Sequence, residues 1–230
     1  MNILVTGGAS GLGEALTRKL AGDDKNAVFI TYCRSEEKAE ALKKEFSNVR
    51  IFHCDFSKKE SVEALVAQMA AMDLDALINN AISGLDIVRF HEAKPEYFLE
   101  RFQTNVLPVI TLTGEAIRNF RTKGKGKIVT ILTAMLDEKP PTGFSEYVAS
   151  KAYLAALSRS WAAENGRWNI AVHSVSPAFM RTELTDKMDP LLRTALAKNA
   201  IEPAGVAEVV HAVLSESLND PSLALRVTSY

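Results

Sequence analysis

Six short runs of almost unbroken apolar or β-branched residues punctuate this sequence, at 3–6, 27–32, 49–53, 76–79, 127–132 and 170–176. A strand with one wet face alternates apolar and polar residues, whereas a strand apolar throughout is buried on both faces. Between the runs lie longer stretches with helical patterning, near 11–21, 36–46, 58–70, 95–121 and 146–164. Strand–helix alternation of this kind calls for parallel strands joined by right-handed crossovers, with helices on both faces of one sheet. Two more helices, 181–198 and 203–216, and a last strand over 223–228 bring the expected sheet to seven strands. Ser57 and Glu60 have the spacing of a capping box at the head of the third helix. Asn105 and Pro108 predict a distortion inside the 95–121 helix, because Asn is a mediocre helix former and proline disfavours the helical conformation of the residue before it.

The first strand runs into Thr6-Gly7-Gly8-Ala9-Ser10-Gly11-Leu12-Gly13 and then at once into a helix. Glycines here let backbone N–H groups approach a pyrophosphate, and the helix N-terminus adds favourable partial charge. A glycine-rich turn alone is weak evidence; its place in a first strand–turn–helix unit gives it weight. The fold class is therefore α/β, a doubly wound Rossmann fold with a mostly parallel seven-stranded sheet. Residues 1–230 read as a single dinucleotide-binding and catalytic domain, with substrate-loop helices within 178–216. Composition narrows the partners. With 27 basic and 28 acidic side chains the net charge is -1, which gives no footprint for nucleic acid or an anionic membrane. No apolar run reaches the roughly 18 residues of a membrane span, and no signal-peptide pattern precedes the first strand. Cys33 and Cys54 show no metal-ligand spacing and read as buried free thiols of a reducing cytoplasm. No metal site is expected.

The motifs that follow resemble the short-chain dehydrogenase/reductase family, in family order from Thr6 to Thr182. The turn matches T-G-x-x-x-G-x-G. Asn79-Asn80-Ala81 is similar to N-N-A-G, with Ile82 for the glycine, and Tyr147 to Lys151 matches Y-x-x-x-K. Ser176-Pro177-Ala178 resembles the P-G segment, with alanine for glycine. The resemblance implies hydride transfer between a nicotinamide cofactor and a carbonyl or alcohol. It implies cofactor contacts from Thr6, Gly7, Ser10, Gly11, Leu12 and Gly13 of the turn, and from Asp55 and Phe56 beyond the third strand. Further contacts are implied for Asn79, Asn80, Ala81, Tyr147, Lys151, Pro177, Ala178 and Thr182, the last beside the nicotinamide amide. An acid about 20 residues past the turn usually holds the ribose hydroxyls of NAD. Here that stretch ends in Arg34, suited to a 2′-phosphate, so NADP is expected in preference to NAD.

Tyr147 and Lys151 are four apart and share a helix face. An ammonium beside a phenol favours the phenolate, so the lysine is expected to lower the tyrosine pKa toward neutrality. In the family a serine thirteen residues before the tyrosine bonds the substrate oxygen; here that position is Ala134, and aligning the strand itself puts Thr133 at the serine's place. Asn105 corresponds to an asparagine that orders a proton-relaying water. The pocket walls are expected from 82–92, 134–146 and 178–198, with Ile82, Phe90 and Met135 among the apolar side chains. A 3-oxoacyl thioester or small ketone is one substrate class, and Arg121, Lys123, Lys125, Lys127 and Arg167 offer positive charge to an acidic acyl carrier. The family's helix pairing implies a homodimer or homotetramer. The departures at Ile82, Ala134 and Ala178 motivate the alternative of a catalytically weak dinucleotide-binding sensor or scaffold.

Overall fold

The computed structural model describes residues 1–186, 188–215 and 226–229. In chain order the elements are β1 (Asn2–Val5), α1 (Gly11–Ala21), β2 (Ala27–Tyr32), α2 (Glu36–Glu45), β3 (Val49–His53), α3 (Lys59–Met69) and β4 (Ala76–Asn79). There follow α4 (Pro95–Asn105), α5 (Leu107–Lys123), β5 (Gly126–Ile131), α6 (Ser145–Asn165), β6 (Ile170–Ser176), α7 (Pro190–Leu196), α8 (Pro203–Leu214) and β7 (Arg226–Ser229). The sheet order is β3-β2-β1-β4-β5-β6-β7. Six strands run parallel, and β7 joins β6 antiparallel. The apolar runs thus mark covered parallel strands except at the edge strand β3, where Arg50 and His53 are exposed, and the strand alternation divides the core between two faces. Ile3 and Val5 point to one side with Leu16, Leu20, Val209, Val210 and Val213. Leu4 between them points to the other, with Leu65, Leu77, Leu112, Phe120 and Ile128.

The expected distortion near Asn105 divides the segment into two helices at Val106. Helix α4 ends at Asn105, Val106 at φ -115 and ψ -52 is the one residue between it and α5, and Pro108 sits in the first turn of α5. Proline fits there because its missing N–H is one that the first turn leaves unpaired anyway. Three local expectations fail. The capping box does not form: Ser57 Oγ donates to Asp55 Oδ1 at 2.7 Å, and α3 begins at Lys59 behind Lys58. The helix expected over 181–198 is a 3-10 turn, Glu183–Thr185, followed by the short α7. Asp189 and Pro190 impose that late start, since Asp189 Oδ1 accepts from the amides of Leu191 and Leu192 at 3.0 and 3.1 Å. Cys33 lies beyond the end of β2 and is exposed, whereas Cys54 is buried. Of the last strand, 226–228 matches β7, and 223–225 lies outside the described residues.

Candidate active site

The chain reverses its strand order between β2-β1 and β4-β5, and at such a switch point the carboxyl ends of the strands open into a crevice. The crevice is a cleft of about 1110 Å³. One hydroxyl ties its two banks together. Thr6 Oγ1, buried under the glycine-rich turn, accepts from the amides of Asn80 at 2.9 Å and Ala81 at 3.0 Å, and donates to Ile78 O at 3.2 Å. Asn80 Nδ2 returns to Thr6 O at 2.9 Å. The turn is built for close approach: Gly7 and Gly11 have positive φ, and a Cβ on Gly13 would lie 1.9 Å from Gly7 O. The residues of the first turn of α1, whose amides have no acceptor within the helix, line the cleft. That cradle fits a diphosphate, and the donor set of the cleft fits a nicotinamide dinucleotide.

The cleft continues over the tips of β2 and β3, where it is lined by Arg34, Lys38, Asp55 and Phe56. Arg34 is exposed, with no acid at the strand tip. Asp55 accepts from the hydroxyl and amide of Ser57, which hold its carboxyl below the usual range. Lys38 reaches across the cleft to form an ion pair with Glu183. Burial pushes the Cys54 thiol up to about 11, so it is a thiol and not a thiolate at neutral pH.

At the other end, β5 and α6 bring Thr133, Tyr147 and Lys151 to one wall. Burial pushes the Tyr147 phenol up, the neighbouring Thr133 hydroxyl offsets only part of this, and the net shift is upward. The shift is opposite in direction to the one expected from the lysine, while Lys151 Nζ lies 6.0 Å from the Tyr147 ring centre and donates to Ile131 O at 2.7 Å. Burial in turn pushes the Lys151 ammonium down to about 8, against the pull of Glu146. Asn105 Oδ1 accepts from the amide and hydroxyl of Ser83 at 2.8 and 2.9 Å, anchoring the chain just after β4. Asn105, Tyr147, Ser150 and Lys151 share a small cavity with room for about one water.

Most residues expected from the sequence therefore meet in one cleft: Gly7, Ser10, Gly11, Leu12, Gly13, Arg34, Asp55, Phe56, Asn80, Ala81, Thr133, Tyr147, Lys151, Pro177, Ala178 and Thr182 line it. Thr6 lies beneath the turn. Asn79 is buried behind it, with Nδ2 on Thr113 Oγ1 at 3.0 Å and Oδ1 unpartnered. Phe90 is 72% exposed and stands away from the cleft wall. The sequence reading missed Lys38, Glu183 and Glu146. Glu146 is a buried carboxyl next to Tyr147, pushed up by burial and steadied by Ser150 Oγ at 2.6 Å. No spacing rule marks these three. Among the described residues, no group of His, Cys, Asp or Glu could hold a metal ion, and no helix is long and apolar enough to cross a membrane.

The family model described as short chain dehydrogenase matches residues 1–191. The nodulation protein G of a Rhizobium species is 33% identical over 199 residues, covering 84% of this chain and 78% of the relative. The 3-oxoacyl-acyl-carrier-protein reductase of Haemophilus influenzae is 30% identical over 205 residues, 88% of this chain and 82% of the other. Among solved structures, a short chain dehydrogenase from Burkholderia cenocepacia in complex with NADP superposes with a TM-score of 0.81 at 28% identity, covering 92% of this chain and 89% of that one. A cleft that joins a glycine-cradled helix terminus to a Tyr–Lys helix face, in a chain matched along most of its length, makes this protein a member of the short-chain dehydrogenase/reductase family of oxidoreductases.

Proposed function

We propose that this protein is an NADP-preferring reductase of a 3-oxoacyl thioester or small ketone, with Tyr147 as proton donor to the carbonyl oxygen. One observation carries the reading: Thr133, Tyr147 and Lys151 line the same cleft that the glycine-rich turn and Arg34 line at its far end. A nicotinamide dinucleotide held there supplies the hydride. Tyr147 Oη delivers the proton as negative charge grows on the substrate oxygen, and Thr133 Oγ1 bonds that same oxygen. Lys151 is held on Ile131 O, beside a water-sized cavity bounded by Asn105, through which the proton is resupplied. Arg34 receives the 2′-phosphate through charge-assisted hydrogen bonds. The reading takes 1–230 as one catalytic unit.

The similarity to the H. influenzae reductase supports the thioester, and three of the basic residues weighed for carrier docking have partners within the chain. Lys123 is paired with Asp73 and Asp75, Arg121 donates to Asn165 Oδ1, and Lys127 donates to Leu214 O. The upward shift of the phenol favours a second reading, a catalytically weak dinucleotide-binding sensor. NADPH oxidation with a panel of 3-oxoacyl thioesters, ketones and sugars separates the two: turnover of the thioesters or ketones is expected, and binding without turnover of any of them leaves the sensor. NADPH is expected to bind more tightly than NADH, and Arg34→Ala to erase most of that difference. Tighter NADH binding by the wild type overturns the cofactor preference.

A further inference from the structure

Lys38 and Glu183 stand on opposite banks of the cleft. Lys38 is on α2, beyond β2, and Glu183 opens the 3-10 turn in the connection that follows β6. Their ion pair bridges 145 positions of sequence and spans the cleft, which both residues line. The bridge also touches the glycine-rich turn. A Cβ built on Gly11 would lie 3.2 Å from Thr182 Cβ and 3.6 Å from Glu183 Oε2, so the 182–183 segment rests directly on that glycine. The Glu183 carboxylate is thus an anion at the N-terminus of α1, where backbone amides and the helix dipole favour negative charge. It is held below the usual carboxyl range first by Lys38, with the Gly11 amide contributing.

We propose that Glu183 is an internal competitor for the phosphates of the dinucleotide, and that Lys38 exchanges the Glu183 carboxylate for a cofactor phosphate when the dinucleotide enters. This rests on the reading of the cleft as a dinucleotide site. A diphosphate seated on the turn would need the Gly11 amide that the carboxylate faces, and two anions cannot share it without repulsion. Displacement is feasible because the bridge is weak: the two side chains are 49% and 52% exposed, where ion pairs are screened by water. A protein held partly in a closed, self-satisfied state binds its ligand with an affinity reduced by the fraction in that state. Glu183 and Lys38 are therefore affinity-determining residues for the cofactor.

Isothermal titration of NADP⁺ and of NAD⁺ into the wild type, Glu183→Gln, Glu183→Ala and Glu183→Gln/Lys38→Met tests this by binding alone. Both Glu183 variants should bind both dinucleotides roughly 3–10-fold tighter, since the competitor is removed in each. Adding Lys38→Met to Glu183→Gln should give back most of that gain. Unchanged or weaker binding by both Glu183 variants overturns the competitor. Full retention of the gain in the double variant overturns the exchange of partners by Lys38. Absence of binding by all four proteins overturns the dinucleotide reading of the cleft itself, and with it this inference.

Discussion

Tyr147 is pulled two ways, up by burial and down by Thr133, and the balance is upward. A phenol so placed stays protonated at neutral pH but gives up its proton less readily than a free tyrosine, so its role as donor is a matter for mutagenesis. Tyr147→Phe should lower kcat at least about 100-fold, the low end of what general acid catalysis contributes, while cofactor affinity measured by titration stays within error. Thr133→Val should cut turnover strongly and Thr133→Ser should retain it, because valine keeps the shape without the donor; equal rates for wild type and the valine variant would mean that another group holds the oxygen. Lys151 makes a prediction about stability. Its folded pKa, about 8, lies below its ordinary 10.5. Below pH 8 the lysine is charged in both states, and the folded state bears the cost of the buried charge. Between about 8 and 10.5 the unfolded chain binds the extra proton, so this residue makes stability rise with pH. The rise has an upper bound of about 3 kcal/mol. Denaturant unfolding at pH 7 and pH 10 should show it in the wild type and not in Lys151→Met.

Helix α1 carries the glycine-cradled terminus at one end and a buried apolar stripe along its length, so its packing sets where the cradle sits. Leu16 has no exposure and packs into the cluster that includes Val209, Val210 and Val213 of α8. Leu16→Ala should cost about 3 kcal/mol and lower Tm by roughly 10 °C, read by thermal melting. The elements that depend on sequence-local physics were legible beforehand. The doubly buried strands announce themselves by continuous apolar runs, and the helix break by Pro108. The misses are residues with a nearer partner than the pattern assumes. Ser57 has the spacing to cap α3, but the Asp55 carboxylate two residues away takes its hydroxyl. The 181–198 pattern has helical periodicity, but Asp189 and Pro190 restart the helix seven residues before Ala197. In the site, the turn and the Tyr–Lys pair were legible because their chemistry depends on fixed spacing. The Lys38–Glu183 pair was not, since only the fold brings together residues so far apart in the chain. Nor was the sign of the Tyr147 shift, which is set by burial that only the fold creates.

For the whole molecule, the outer faces of α5 and α6 carry the strongest signal of assembly. Leu107 is 43% exposed and Tyr153 46%, the latter ring edge-on to Phe102 at 5.2 Å. Around Tyr153 the exposed residues of α6 are small, namely Ala149, Ala152 and Ala156, which would let a second helix approach closely. The proposed homodimer or homotetramer should use this face. Ala156→Arg should shift sedimentation toward monomer, and an unchanged sedimentation coefficient would place the interface elsewhere. The banks of the cleft belong to two halves of the sheet that meet where β1 pairs with β4, and there a single threonine oxygen serves two amides at once. In amide hydrogen exchange, that oxygen makes Asn80 and Ala81 one clock. Their protection should be lost together in Thr6→Val, and in the wild type they should exchange in step, at the rate at which the two halves of the sheet part from each other.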